Sequence, residues 1–156
     1  MSEEKISFEG LANGFFMAID NLVALNIGFR QLQDPDYRRS MHPAQYAFEH
    51  CTVQLNIGRH TGKTEYIKRN AVEGALVVVP NEVMRREFLR SIKDSTSKAY
   101  VVNASTTEHL INDLSHRKFN FILIDEPSLL SDEAISAIYQ FTAKADLDQI
   151  YVLLGA

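Results

Sequence analysis

The chain has 156 residues, 46% of them apolar and 23% charged, which suits one packed globular domain and excludes a disordered or membrane-spanning composition. Its 16 basic and 20 acidic side chains leave a net charge of -4, so no global positive field holds nucleic acid and any DNA contact must be local. The lone cysteine, Cys51, excludes an internal disulfide and a cysteine-rich metal site; the polar start Met1–Lys5 carries no signal-peptide stretch, and no apolar run reaches transmembrane length, so a cytoplasmic protein that avoids membranes is expected.

Phe8, Leu11, Phe15, Ile19, Leu22, Leu25, Phe29 and Leu32 recur at steps of three and four, which predicts one or two helices with a single apolar face. Gly10, Gly14 and Gly28 weaken that pattern and allow a break. The stretch 34–43 holds Asp-Pro-Asp and Met-His-Pro and reads as a connector, because proline biases its predecessor away from helical angles. Residues 1–41 are thus an N-terminal helical segment that packs on or beside a core spanning 42–156. Cys51, at the head of the next apolar run, is expected to be buried as a small hydrophobe.

From Thr52 onward short apolar runs alternate with amphipathic stretches, the pattern of an α/β fold in which helices sandwich a parallel sheet. Strands are expected at Thr52–Ile57, Ala75–Val79, Ala99–Asn103, Phe119–Ile124 and Ile150–Leu154. Helices are expected near 64–73, 81–93, 106–116 and 131–144, the third opening on a capping box formed by Ser105 and Glu108.

Two places carry chemistry. In Gly58-Arg59-His60-Thr61-Gly62-Lys63-Thr64 a glycine-bearing turn links a buried strand to a helix, leaving unpaired N–H groups and the positive end of the helix dipole to meet an anion, naturally phosphate. Gly62 would let backbone approach the phosphates, Lys63 would reach the β and γ oxygens, and Thr64 would offer its hydroxyl to magnesium. The full pattern asks for a glycine where Ile57 stands, so the match is to the Gly-Lys-Thr half with a variant loop before it. The second place is Phe119–Glu126, an apolar strand delivering Asp125 and Glu126 at its C-terminal end, where open α/β sheets bind ligands. Asp125 would hold the magnesium shell through water, and Glu126 would orient the water that attacks the γ-phosphate.

A Gly-Lys-Thr loop paired with an apolar strand ending in Asp-Glu resembles the P-loop ATPases that carry a catalytic glutamate, a group with a RecA-like core. Within it the chain is most similar to the ATPase domain of phage terminase large subunits and, more distantly, to superfamily 2 helicases. Arg59 stands where terminases place an arginine three residues before the glycine of Gly-Lys-Thr; the resemblance implies a γ-phosphate sensor, and a surface arginine is the alternative. Pro43-Ala44-Gln45 looks like the Pro-x-Gln element that recognises adenine, with Gln45 the candidate and a solvent-exposed glutamine the alternative. On the helix after Val77-Val78-Val79-Pro80-Asn81, Met84, Phe88 and Ile92 share the core face. Arg86, Arg90 and Lys93 share another, read as solvated in preference to a DNA-tracking or subunit-contacting patch.

The resemblance implies ATP and magnesium as cofactors, with double-stranded DNA, further copies of the chain or other motor subunits as partners. It also implies that Ile150–Leu154 lies between the phosphate-loop and Asp-Glu strands. That strand runs into Gly155-Ala156 instead of a polar coupling residue, and the C-terminal elements of such motors are expected to be missing. The leading expectation is therefore the ATPase domain of a DNA-packaging motor, cytoplasmic in a host cell if viral. The alternatives are an ATP-binding switch without efficient turnover and a helicase core fragment. A nucleotide kinase is disfavoured, since Glu126 suits water activation and no arginine-rich lid follows.

Overall fold

The computed structural model describes residues 8–56, 62–93, 98–105, 114 and 116–155. The elements run α1 (Phe8–Gln31), α2 (Pro35–Ser40), α3 (Pro43–His50), β1 (Thr52–Leu55), α4 (Lys63–Asn70), β2 (Ala75–Val79) and α5 (Glu82–Ile92). They continue with β3 (Tyr100–Asn103), β4 (Phe121–Asp125), a short 3-10 turn (Pro127–Leu129), α6 (Asp132–Thr142) and β5 (Ile150–Leu154). The expected helix near 106–116 and its capping box lie mostly outside the described residues, as does the extension of β1 to Ile57.

The five strands form one all-parallel sheet in the order β1-β5-β4-β2-β3. This is the expected α/β architecture. The final strand β5 sits between β1 and β4, as the resemblance implied. Strand residues alternate between two cores because side chains on a strand point to opposite faces. Val53, Val77, Val79, Val101, Leu123, Val152 and Leu154 face a layer made by α1, α4 and α5. Leu76, Val78, Val102, Ile122, Ile124, Tyr151 and Leu153 face α3 and α6. Burial on both sides explains why β2 and β5 read as unbroken apolar runs.

The N-terminal segment belongs to the first of these layers. Phe15, Phe16 and Ile19 are buried in the same core as Tyr66 and Val152, and Tyr66 donates to Asp20 at 3.0 Å. Helix α1 is unbroken across Gly10, Gly14 and Gly28. Its apolar face differs from the expected one beyond Ile19, for Leu22, Leu25, Phe29 and Leu32 are exposed. At about 100° per residue Leu22, Leu25, Phe29 and Leu32 lie roughly 60–140° round the helix from Ile19, off the sheet, whereas Asn26 and Arg30 lie within about 20° of it. Polar residues take over the inward face there. Asn26 donates to the His50 carbonyl at 2.8 Å, and Arg30 to the Gln149 carbonyl at 2.8 Å.

The stretch 34–43 is helical where a connector was expected. Pro35 and Pro43 each open a helix, the position where a missing N–H costs nothing, with Asp34 and His42 as side-chain caps. Cys51 is buried as expected. On α5, Phe88 is buried with Met84 and Ile92 packed beside it, while Arg86 and Arg90 face solvent.

Candidate functional site

Parallel strands all end at the same edge, and three of those ends converge here. Register pairs Leu55 of β1 and Asp125 of β4 with the same residue, Leu154 of β5. The chain beyond β1 and the chain beyond β4 therefore flank the end of β5, about two strand spacings, or roughly 10 Å, apart. Gly155 lies between them. Its N–H donates to the Leu55 carbonyl at 3.1 Å, and the N–H of Glu126 donates to the Leu154 carbonyl at 2.9 Å.

On the β1 side the N-cap of α4 is Gly62, with φ 91° and ψ 13°, a left-handed conformation that glycine adopts without penalty. Lys63 is the first helical residue, and its side chain is buried as it crosses toward β4. Thr64 follows and is exposed, so its hydroxyl remains open to a ligand at the helix N-terminus. Gly58, Arg59, His60 and Thr61 lie outside the described residues.

On the β4 side Asp125 is buried, 7% exposed. Burial pushes its carboxyl up to about 6, the neighbouring Glu126 charge adds to the rise, and the Lys63 ammonium and a backbone hydrogen bond offset part of it. A carboxylate in that position is short of positive charge. Glu126 is, among the described residues, the one non-glycine with positive φ, at 48°. Its N–H bond to Leu154 and its carbonyl, which accepts from the Leu129 N–H at 3.0 Å, hold it in a conformation that a glutamate otherwise pays for by about 1–2 kcal/mol. The effect is to turn its side chain back across the end of β5. There Glu126 Oε1 accepts from Lys63 Nζ at 2.6 Å.

The site thus joins Lys63, Asp125 and Glu126, three of the residues singled out from sequence, and adds Gly155, which had been marked only as a departure. A Cβ at Gly155 would stand 2.6 Å from Glu126 Oε2 and 2.9 Å from its Cδ, and φ at Gly155 is 122°. The one sequence signal for that role is a glycine at the end of a wholly apolar strand. Gln45 lies elsewhere: α3 covers the face of the sheet opposite α4, and the Gln45 side chain is exposed and donates to Glu49 at 3.2 Å. With Ala44, Phe48, Ile135 and Tyr139 it lines a cleft of about 380 Å³ between α3 and α6.

The donor set is compatible with a hydrated magnesium ion and a polyphosphate. Among the described residues no cluster of three or more His, Cys, Asp or Glu forms a metal cage. Magnesium seldom uses one, since it keeps several waters and takes one or two carboxylates with substrate phosphate oxygens. Buried Asp125 with the Thr64 hydroxyl suits that habit, and Lys63 at a helix N-terminus suits polyphosphate. No family model matches the chain, and no curated protein is significantly similar in sequence. What fold and site together define is a class: an open, all-parallel α/β domain with a lysine and two carboxylates at the C-terminal edge of its sheet. Among the described residues no helix is long and apolar enough to cross a membrane.

Proposed function

We propose that this edge binds the triphosphate of ATP with magnesium and hydrolyses the β–γ bond. The supporting observation is the convergence, across the end of β5, of Lys63 at the glycine-capped start of α4 with the carboxylates that end β4. The helix N-terminus and Lys63 meet the phosphate charge, Thr64 and Asp125 are the residues that would hold magnesium, and Glu126 would position water and take up its proton. Magnesium supplies charge neutralisation of the phosphate oxygens when bound. Arg59 remains the candidate for a second cation at the γ-phosphate, whereas Gln45, carried by α3 on the opposite face of the sheet, is left out of this site. The use we infer for hydrolysis is driving a terminase-like DNA motor, with double-stranded DNA and further subunits as partners.

A second reading, an ATP-binding switch without efficient turnover, is favoured by one feature: the residue that follows β5 at the site is Gly155, which has no side chain to link the γ-phosphate to motion. Magnesium-dependent phosphate release from ATP, measured with and without double-stranded DNA, separates the two. Turnover that DNA accelerates, and that Lys63→Ala and Glu126→Gln each lower by at least about a hundred-fold, is the expected result for the motor. Binding without release favours the switch, and no ATP binding at all removes both.

A further inference from the structure

The ion pair at the centre of the site joins two groups that phosphate chemistry needs apart. Lys63 Nζ lies 2.6 Å from Glu126 Oε1, and the side chains are 9% and 25% exposed, so the pair is largely shielded from water. A polyphosphate that took up Lys63 would bring its own negative oxygens against the Glu126 carboxylate. Like charges in so shielded a place repel strongly, and one ammonium cannot serve both anions equally well. Occupation of Lys63 by Glu126 and by phosphate is therefore close to exclusive.

The geometry shows how the pair is built. The left-handed turn at Glu126 aims its side chain back over β5, and the backbone bonds from Glu126 to Leu154 and from Gly155 to Leu55 fix that path to both neighbouring strands. The path runs directly over Gly155, where the space of a single methyl group is already taken by the Glu126 carboxylate. Only glycine both adopts φ 122° readily and leaves that space free.

We propose that Lys63 and Glu126 form a latch that closes the free site, that Gly155 is the positioning residue that gives the latch room, and that polyphosphate must displace Glu126 from Lys63 to bind. The inference rests on the phosphate-binding reading above and adds its regulation. While the latch is closed the apparent affinity for nucleotide is lowered by the fraction of molecules that are open. Opening needs rotation of the Glu126 side chain alone, since its backbone is held by β5. The same rotation frees the carboxylate to act on water, so binding and arming of the site are one event.

The test uses magnesium with a β,γ-imido analogue of ATP, so that turnover does not disturb the affinities. Calorimetry and stopped-flow association are run on the unaltered chain, Lys63→Ala, Glu126→Gln, Gly155→Ala and the Glu126→Gln/Gly155→Ala pair, each checked by thermal melting. Glu126→Gln keeps the side-chain shape and removes the competing charge; it should bind about ten-fold more tightly and associate faster. Gly155→Ala should move in the same direction, and the pair should gain nothing over Glu126→Gln alone. If Lys63→Ala binds as well as the unaltered chain, the phosphate reading itself fails and the latch with it. If Lys63→Ala abolishes binding but Glu126→Gln binds no more tightly, the latch is overturned and the phosphate reading stands. Tightening by Gly155→Ala that persists in the Glu126→Gln background would remove Gly155 from the mechanism. Should Gly155→Ala fail to fold, Glu126→Gln decides the latch alone.

Discussion

Asp125 shows at the scale of one residue how a buried carboxylate weakens the protein that carries it. Its folded carboxyl sits at about 6 against an ordinary value of 3.8, chiefly through burial, so the folded state holds this proton more firmly than the unfolded chain does. The stability that follows is fully present below about pH 4 and is lost as the pH rises through 6, a cost approaching about 3 kcal/mol in the free protein at pH 8. Asp125→Asn should therefore raise the unfolding free energy of the free protein at pH 8, with the difference closing below pH 4. Denaturant unfolding across that range checks it, and equal stabilities at pH 8 would mean that water or Lys63 already satisfies the carboxylate. Asp125, Glu126 and Lys63 were legible in the sequence because a strand end and a glycine-lysine helix start are local patterns. The Lys63–Glu126 pair and the role of Gly155 were not, since they arise from which strand lies between β1 and β4. Gln45 shows the same limit from the other side: a two-residue pattern names a candidate and says nothing of the sheet face to which its helix is assigned.

At the scale of elements, the strands were legible and the helical margins much less so. A strand buried on both faces must be apolar throughout, and β2 and β5 carry the expected limits, Ala75–Val79 and Ile150–Leu154. Helix α1 misled because its inward face changes from Phe15, Phe16 and Ile19 to Asn26 and Arg30, which serve the carbonyls at His50 and Gln149 rather than apolar side chains. No periodicity rule anticipates polar residues whose partners are the last carbonyl of α3 and the buried carbonyl just before β5. Gly28 was expected to weaken or break this helix, yet it lies within its 24 residues with nothing inside 4 Å of the place a Cβ would occupy. Gly28→Ala should then stabilise the protein by about 0.5–1 kcal/mol, through backbone entropy removed from the unfolded chain. That corresponds to an increase of about 1–4 °C in melting temperature, readable by circular dichroism. A lower melting temperature would show that this face of α1 is covered by something a methyl group disturbs.

For the whole molecule the decisive fact is that the last strand of the sequence is the second of the sheet. In the order β1-β5-β4-β2-β3, β1 has β5 as its one strand partner among the described residues, pairing Thr52 with Tyr151 through Leu55 with Leu154. The sheet cannot take in β1, nor fix the start of α4 against Asp125 and Glu126, until β5 has arrived from about a hundred residues away. Two further ties hold β5 to α6 and to the chain entering β4. Buried Gln149 donates to the carbonyls of Phe119 and Thr142 at 2.7 Å each and accepts from the Lys144 N–H at 2.8 Å. Tyr151 stacks on Tyr139 with ring centres 4.4 Å apart, and its hydroxyl pairs with Thr142 at 2.6 Å. Gln149→Ala would strand two carbonyls and one N–H in the interior at about 1–3 kcal/mol apiece, a loss of several kcal/mol against a total that for such domains is about 5–15 kcal/mol. We expect Gln149→Ala to lower the urea midpoint sharply and to weaken the proposed nucleotide binding only as far as it lowers the folded fraction, because Gln149 sits at the opposite end of β5 from Gly155. Nucleotide in excess should then restore much of the lost stability by mass action. Weakened binding in the folded fraction itself would instead mean that a displaced β5 carries its disturbance along the strand to Leu154 and Gly155, and so to the Glu126 latch.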